Sequence, residues 1–419
     1  MVTTNGANGA HGADGADAGS DAPPHRLRVD YINYAHSGRL GAGYFGGGSA
    51  PDFTGLAAIM KPGPWPDILG VGEADQWNYD GCAAGFAAAA ALREAGGPPY
   101  IPLPGSLPRE GGPFGPALLV DPTTVQIQFW GGEMERPGSS ARTRNLLRAT
   151  LPGHPQPFHV LIGHGDIHDG DARLADFKTY ARLADPAIPC IFIGDCNCTP
   201  SGPMWETGEF NDPLHLQRPE RMLHKILWRH GPAQEGPYTA DTRALDVLCG
   251  WWRPARRDWR RAWLRTIPGR RIGGVGFYDV AEQMGVATPT QMPIASGRAP
   301  RAIDRALVNR PWLEAITDFR VYPPLQPEHP TDHLRISVGL AWSPNASAEA
   351  RQASPPVSRR WLPFRGRPHH SLDRARQPPK EGGTRLIRNR PGLRLFAVIG
   401  NPLRHPHRAH HHNRHGEAP

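Results

Sequence analysis

The chain has 419 residues, of which 39% are hydrophobic and 21% are charged, with a formal net charge of +8 at pH 7. This length suits one large α/β domain with tails, or two domains. No window approaches the roughly 20 consecutive apolar residues of a membrane-spanning helix, so we expect no transmembrane segment.

The net charge is unevenly divided along the sequence. Residues 1–25 carry three Asp and no Lys or Arg, whereas residues 341–419 carry 15 Lys plus Arg against four acidic residues. The stretch between them holds 32 basic and 32 acidic residues. A dedicated DNA-binding domain usually presents a basic face. The balanced charge therefore leaves lipids and small phosphoesters open as substrates, beside nucleic acids.

Two features favour the cytoplasm. The Gly/Ala/Asp-rich leader, residues 1–25, lacks the basic start and apolar centre of a secretory signal, and its low complexity predicts disorder. The chain has five cysteines, an odd number without the spacing of a disulfide framework, which favours a reducing compartment. We interpret the cluster of Cys190, Cys196 and Cys198 as small buried thiols rather than as a zinc site.

Short apolar runs that end in polar groups recur along the chain, and each is typical of a strand. In chain order they are LRVDYINYA (27–35) with Asn33, PDILGVGEAD (66–75) with Glu73, HVLIGHGD (159–166) with His164, IPCIFIGDCNCTPSGP (188–203) with Asp195 and Asn197, RAIDRALVN (301–309) with Asp304, and PTDHLRISVGL (330–340) with Asp332 and His333. In the last run apolar and polar residues alternate, which predicts a half-buried strand.

Other elements complete an α/β pattern. Residues 82–95 and 172–183 are predicted helices, the first closed by a Gly-Gly pair. Residues 145–151 and 159–165 are predicted to be paired strands. The segment GPALLVDPTTVQIQFW, residues 115–130, is predicted to form a hairpin with Asp-Pro in its turn.

The polar groups at these strand ends have the chemistry of a phosphoester-cleaving site. Asn33, Glu73 and Asp332 can supply the hard oxygen ligands that Mg²⁺ or Mn²⁺ prefers. Such an ion polarises a phosphoryl oxygen and stabilises developing negative charge.

The remaining polar groups suit catalysis beside that ion. Asp195 can orient or deprotonate a water, and Asn197 can hold phosphate or water next to it. His333 can donate to a phosphate oxygen, while Asp304 fixes its tautomer and raises its pKa. His164 can add a second donor. Each residue alone has a simpler interpretation, such as a strand histidine or a turn-capping Asp.

With these six runs in this order, the chain resembles the endonuclease/exonuclease/phosphatase superfamily of metal-dependent phosphoesterases. The resemblance covers roughly residues 26–342, with a poorly matching stretch at about 205–298. It implies that Asn33, Glu73 and Asp332 hold the metal. It also implies a catalytic group of His164, Asp195, Asn197, Asp304 and His333.

The sequence departs from the family pattern at several neighbouring positions. Gly72 stands where the family usually has Gln, Cys196 where it has Phe or Leu, and Thr331 where it has Ser. None of these changes removes a catalytic group. The abasic-site endonuclease branch usually has a Thr-Lys pair after the metal-binding Glu, and Ala74-Asp75 stand there instead, which argues against that branch.

The resemblance implies a four-layer αββα sandwich, in which two packed mixed β-sheets are flanked by helices, with the site at one edge of the sheets. We expect a catalytic domain over residues 26–342, with 205–298 as a divergent insertion. Disordered tails are expected on both sides. The basic, Arg/His/Pro-rich tail over 343–419 can attract anionic partners by charge, but we favour a solvated tail without a defined partner.

The insertion contains an Arg/Trp-rich segment, residues 250–271. Its spacing predicts an amphipathic helix that begins near Pro254, with Trp252, Trp259 and Trp263 near one face. Arg with interleaved Trp can bind nucleic acid or lie on an anionic membrane. We favour the interpretation that the Trp face packs on the domain.

We therefore expect a cytoplasmic, monomeric hydrolase that depends on Mg²⁺ or Mn²⁺. The expected activity is that of a phosphodiesterase of nuclease type, in which water attacks phosphorus in line and nucleic acid is the substrate. Two alternatives use the same site, a phosphomonoesterase and a sphingomyelinase-like lipid phosphodiesterase. A third alternative is a non-catalytic binding module that retains the fold.

Overall fold

The computed structural model describes residues 25–38, 51–74, 77–78, 80–106, 115–132, 144–205, 225–227, 239–257, 266–267, 269–292, 300–325 and 328–342. Residues 1–24 of the predicted leader (1–25) and the basic tail from residue 343 lie outside the described residues, as does the whole of the second compact unit, Ser358–Pro419. The expectations for these segments, and the domain boundaries drawn from them, stay predictions.

The described residues form strands β1 (His25–Asn33), β2 (Ile68–Gly72), β3 (Ile101–Pro104), β4 (Ala117–Val120), β5 (Gln126–Trp130), β6 (Leu146–Leu151), β7 (His154–His164), β8 (Cys190–Asp195), β9 (Trp251–Arg253), β10 (Arg256–Arg257), β11 (Thr266–Ile267), β12 (Arg270–Ile272), β13 (Phe277–Asp279), β14 (Asp304–Asn309), β15 (Ile316–Val321) and β16 (Ile336–Trp342). The α-helices are α1 (Thr54–Met60), α2 (Ala83–Glu94), α3 (Gly170–Thr179), α4 (Arg243–Cys249), α5 (Val280–Gln283) and α6 (Arg310–Leu313). Short 3-10 helices span Ala35–Gly38, Asp80–Cys82 and Tyr180–Ala184.

Two six-stranded mixed sheets form the centre of the structure. The first has the strand order β15-β16-β1-β2-β4-β3 and the second has the order β13-β14-β8-β7-β6-β5. Each contains a parallel pair, β1 with β2 and β7 with β8, beside antiparallel neighbours. Two small ribbons, β10-β11 and β12-β9, lie within the predicted insertion.

The apolar side chains divide into three layers. Residues of both sheets, such as Val29, Ile162 and Val308, form one cluster between the sheets. A second cluster joins the first sheet to α1 and α2, and a third joins the second sheet to α3 and α4. Fully burying each such aliphatic side chain contributes about 1.5–3 kcal/mol. The predicted four-layer αββα sandwich is therefore confirmed.

The strand that follows Asp332-His333 differs from its prediction. The alternation over 330–340 predicts a half-buried strand, but residues 333–340 are buried on both faces. Arg335 is fully buried because its guanidinium pairs with Asp30 Oδ2 at 2.6 Å and donates to the carbonyl oxygens of Met60, Pro62 and Pro64. A polar residue in an alternating pattern can thus face a second buried layer when partners are supplied there.

The predicted hairpin over residues 115–130 is wrong. β4 pairs with β2 and β3 in the first sheet, whereas β5 pairs with β6 in the second. The turn between them therefore crosses from one sheet to the other. It is a true turn, since Asp121 Oδ1 accepts hydrogen bonds from Thr123 N at 2.9 Å and from Thr123 Oγ1 at 2.7 Å. β4 is buried throughout and takes a partner on each side, so the following strand cannot pair with it.

The predicted Arg/Trp helix is wrong over its described part. Residues 256–257 pair with 266–267 as β10-β11, and residues 251–253 pair with 270–272 as β9-β12, whereas Trp259 and Trp263 lie outside the described residues. Arg271 explains the extended conformation, because its guanidinium donates to Gly250 O at 2.7 Å, to Ser201 O at 2.8 Å and to Glu282 Oε2 at 2.7 Å. These tertiary contacts override a local helical pattern.

The sheet topology places the polar strand ends at one edge. The carboxyl ends of the parallel pairs β1-β2 and β7-β8 meet there, and the antiparallel strands β14 and β16 begin there.

Among the described residues, no helix combines the length and the apolar composition that crossing a membrane requires.

Candidate active site

Eight side chains predicted from the sequence come together at this edge. Asn33, His164 and Asp195 end β1, β7 and β8, Glu73 follows β2, Asp304 begins β14, and Asp332 and His333 precede β16. Asn197 lies two residues beyond Asp195. Contacts of Asn33, Asp195 and His333 connect the group.

Asn33 joins the two sheets at the site. Its Nδ2 donates to Glu73 Oε1 at 3.2 Å and to Asp195 Oδ2 at 3.1 Å. Thr331 Oγ1 donates to Asn33 O at 2.8 Å and ties the segment before β16 to the end of β1. Asn33 Oδ1 is buried and has no hydrogen-bond partner among the described residues. A buried amide oxygen without a donor is costly in isolation and suits a hard metal ion.

Two site residues have a positive φ, a backbone conformation that residues other than glycine rarely adopt. Glu73 has φ 52° and Asn197 has φ 50°. The left-handed region is tolerated by Asn but costs most other residues about 1–2 kcal/mol. Gly72 precedes Glu73, and a Cβ at that position would collide with the Tyr31 hydroxyl. A residue with a Cβ therefore does not fit beside Tyr31 at this position.

Asp304 and His333 form a buried pair. His333 Nδ1 lies 2.8 Å from Asp304 Oδ2. Burial by itself would lower the pKa of His333, but the charge and hydrogen bond of Asp304, with the charges of Asp195 and Asp332, raise it to about 10. Burial raises the pKa of Asp304, against the opposing charge of His333. We assign the shared proton to His333, because its Nε2 also lies 3.8 Å from both Asp195 Oδ2 and Asp332 Oδ1.

Asp195 is the central carboxylate. Burial by itself would raise its pKa, but the charges of His333 and His164 and the hydrogen bond from Asn197 N lower it. His164 is its register partner across the parallel β7-β8 pair, so both side chains lie on the same face of the sheet. Asp195 is therefore an ionised acceptor surrounded by donors.

Asn197 is fixed on both sides of its amide. Its backbone N donates to Asp195 Oδ1 at 2.7 Å, and its Nδ2 donates to Gly165 O at 3.1 Å. Its Oδ1 accepts from Lys225 Nζ at 2.7 Å. The amide that the sequence suggested would hold phosphate or water thus already has partners within the protein.

Asp332 lies on the outer side of His333. Its side chain is 32% exposed, and Asp332 Oδ2 accepts from Gln291 Nε2 at 3.0 Å. Gln291 also forms a β-bridge with His333 and another with Arg301. The segment that ends the insertion therefore holds this carboxylate at the rim of the site.

A buried group of acidic and His side chains could hold a metal here. The ligand atoms of Asp195, Asp304 and His333 lie within 4.8 Å of one another. A protonated imidazole cannot ligate a metal, because both nitrogens are then donors. We therefore favour the predicted ligands Asn33, Glu73 and Asp332 over a set that includes His333. The buried Asn33 Oδ1, which has no hydrogen-bond partner among the described residues, independently suits a metal ligand.

Four residues of the site were not expected from the sequence. Thr290 Oγ1 accepts hydrogen bonds from the backbone N of Ile303 at 3.1 Å and of Asp304 at 2.9 Å, which positions the carboxylate of the buried pair. The others are Gln291, Lys225 and Arg301. Arg301 is 7% exposed, and burial lowers its pKa to about 10, against the charge of Asp195. All but Arg301 lie in the insertion, where no motif marks them.

Several solved structures are similar to this chain. No protein-family model and no curated protein matches the chain. Similar solved structures include an AP endonuclease from Archaeoglobus fulgidus, at 15% identity and a TM-score of 0.42, covering 74% of this chain and 98% of that chain.

Two further solved structures are similar at the same level. A 3'-5' exonuclease from Neisseria meningitidis has 15% identity and a TM-score of 0.43, and covers 75% of this chain and 100% of that chain. An endonuclease/exonuclease/phosphatase family protein from Bacteroides thetaiotaomicron has 13% identity and a TM-score of 0.41, and covers 76% of this chain and 96% of that chain. The second carries the name of the family that the sequence resembles.

Proposed function

We propose that this chain is a divalent-metal-dependent phosphoester hydrolase, and more narrowly a phosphodiesterase of nuclease type that acts in the cytoplasm. The observation that carries the proposal is the position of His333 between Asp304 and Asp195, at 2.8 Å and 3.8 Å. This arrangement holds a cation and an ionised carboxylate together in one buried site. Phosphoester hydrolysis needs both, one for the phosphate and one for the attacking water.

The protein's own residues have separate tasks in this reaction. Asp195 orients a water and takes its proton as the new bond between that oxygen and phosphorus forms. The ester bond between phosphorus and the leaving oxygen breaks on the opposite side, and the leaving oxygen departs with the bonding pair as an oxyanion that takes a proton from solvent. His333 donates from Nε2 to a non-bridging phosphate oxygen, and Asp304 holds its ring in place through Nδ1. His164 adds a second donor beside Asp195. A general acid or base typically contributes about 10²–10⁴-fold in rate.

Asn33 and Glu73 would hold the metal ion, with Asp332 at the rim as the third predicted ligand. A bound Mg²⁺ or Mn²⁺ would polarise a phosphoryl oxygen and offset the negative charge that builds on it. Oxygen ligands of this kind favour these two ions over zinc, whose sites are rich in Cys and His.

The substrate class is the finer part of the proposal. We propose nucleic acid, on the strength of the family resemblance of the sequence. A phosphomonoesterase or a lipid phosphodiesterase would use the same site, and a non-catalytic module would bind the metal without turnover. These alternatives differ in which ester is cleaved, so they are outcomes of one assay.

The assay compares bis-(p-nitrophenyl) phosphate with p-nitrophenyl phosphate, each with Mg²⁺, with Mn²⁺ and with EDTA. We expect cleavage of the diester that EDTA abolishes and that added metal restores. Cleavage of the monoester alone would replace the diesterase by a phosphatase. If neither ester is cleaved, DNA, RNA and sphingomyelin are tested under the same conditions. Failure on all of them, with metal bound, would overturn the hydrolase proposal.

A further inference from the structure

Lys225 reaches the site from the insertion, a region in which the sequence shows no family pattern. Its Nζ donates to Asn197 Oδ1 at 2.7 Å and to Asn197 O at 3.3 Å. Asn197 N in turn lies 2.7 Å from Asp195 Oδ1. Asn197 thus connects the Lys225 ammonium group to the carboxylate of Asp195. The positive charge of Lys225 contributes to the lowered pKa of Asp195.

The backbone around Lys225 is anchored to the domain. Ile226 forms a β-bridge with Ala240 and is 3% exposed. Asp241 N donates to Lys225 O at 2.9 Å, and Asp241 is buried and held by Arg243 in two side-chain hydrogen bonds. Because Arg243 begins α4, which packs on the second sheet, the placement of the lysine is coupled to the core.

The lysine determines which way the Asn197 amide faces. An ammonium group offers only donors, so the atom that meets it must be the amide oxygen. A carbonyl oxygen offers only acceptors, so the atom that meets Gly165 O at 3.1 Å must be the amide nitrogen. Asn197 therefore presents an oxygen, not an N–H, on the Lys225 side. An amide oxygen repels a phosphate anion, whereas the ammonium beside it attracts one.

We propose that Lys225 is a phosphate-binding residue of this site and that Asn197 is its positioning residue. The inference rests on the proposed function, in which a phosphate group occupies the site. Lys225 contacts a non-bridging oxygen on the Asp195 side, while His333 contacts the phosphate from the side of Asp304. The insertion thus supplies a binding group, although its sequence does not resemble the family.

The test uses inorganic phosphate as the probe and the full-length protein with Mg²⁺. Phosphate is titrated at constant ionic strength, and its affinity is taken from the rise in melting temperature. We expect Lys225→Met, which keeps most of the side-chain length and removes the charge, to weaken phosphate binding about 10- to 100-fold, the range for a hydrogen bond to a charged group. Lys225→Arg should restore most of the affinity.

Lys178 provides the matched control, because it is an exposed lysine in the last turn of α3, away from the site. Lys178→Met should bind phosphate as the parent does. A purely structural role for Lys225 predicts a lower melting temperature without phosphate and an unchanged phosphate affinity, which would overturn the inference. A parent protein without phosphate affinity would also overturn it. If Lys225→Met does not fold, Lys225→Gln takes its place in the same titration.

Failure of this inference is distinguishable from failure of the proposed function. Metal-dependent diester cleavage with equal kcat/KM and equal phosphate affinity in the parent and in Lys225→Met would refute only the role of the lysine. Phosphate binding that needs Lys225, in a parent that cleaves no phosphoester, would refute only the hydrolase. When both hold, Lys225→Met raises the KM for the diester and lowers kcat/KM, and Lys225→Arg reverses both changes.

Discussion

Asp195 and Asp304 stand directly opposite each other on the antiparallel strands β8 and β14. Like charges in that position normally destabilise a sheet. Here His333 contacts both, with Nδ1 at 2.8 Å from Asp304 and Nε2 at 3.8 Å from Asp195. The imidazolium therefore offsets a repulsion that the strand pairing creates, and the same three groups form the proposed catalytic centre.

Replacing His333 by Ala should lower kcat/KM for a diester substrate by about 10²–10⁴-fold, because a positioned proton donor is lost. Steady-state kinetics with Mg²⁺ measure the effect, and the melting temperature is recorded for each variant. The exposed His168 provides the control, and His168→Ala should stay near the parent. A fully folded His333→Ala protein with parental kinetics would contradict the assigned role.

Replacing Glu73 by Gln, or Asn33 by Ala, should weaken Mn²⁺ binding. We expect a loss of at least about 10- to 100-fold, since even residues that only support a metal ligand have effects of that size. Titration calorimetry measures the affinity without requiring turnover. The control is Glu94→Gln, which changes an exposed carboxylate at the end of α2. Parental Mn²⁺ affinity in both site variants would place the metal elsewhere.

Asp30 should be essential for stability because it pairs with the fully buried Arg335. Asp30→Ala leaves that guanidinium charge without its counter-ion, and we expect a loss of about 3–5 kcal/mol in the free energy of unfolding. Urea denaturation measures this loss. The double variant Asp30→Leu/Arg335→Met removes both charges and should recover much of it. If the double variant is no more stable than Asp30→Ala, the buried pair is not the cause.

His159 should make the fold less stable in mild acid. Burial, with the nearby charges of Arg148 and Arg182, lowers its pKa from 6.5 to about 4. Between these two values the unfolded chain binds a proton that the folded protein excludes, so stability falls as the pH drops below about 6.5. His159→Gln should reduce the decrease in unfolding free energy between pH 7 and pH 5. An equal decrease in both proteins would show that other groups cause the acid sensitivity.

The strand ends could be predicted from the sequence because their signal is local. An apolar run that ends in a polar residue identifies a strand and its terminus together, as at Asn33 and Asp195. The resemblance implies a sandwich with its site at one edge of the sheets, and in that fold these strand ends lie close together. The geometry agrees with that expectation, and the catalytic and metal-binding roles stay predictions.

The errors arose where long-range contacts decide the conformation. The predicted turn after Asp121 is present. The pairing partner of each flanking strand, however, depends on which neighbouring strands bury it. The Arg/Trp segment has a helical spacing, yet hydrogen bonds of Arg271 to Gly250, Ser201 and Glu282 hold it extended. Lys225 contacts Asn197 from 28 positions further along the chain, within a segment that carries no motif.

The measurement that tests the central claim most directly is the hydrolysis of bis-(p-nitrophenyl) phosphate by the parent and by Asp195→Asn, with Mg²⁺ and with EDTA. Asn keeps the shape of the side chain and removes the charge that accepts a proton from water. We predict metal-dependent cleavage by the parent and a fall of about 10²-fold or more in the variant. Near-parental, metal-dependent cleavage by a folded Asp195→Asn protein would contradict the account.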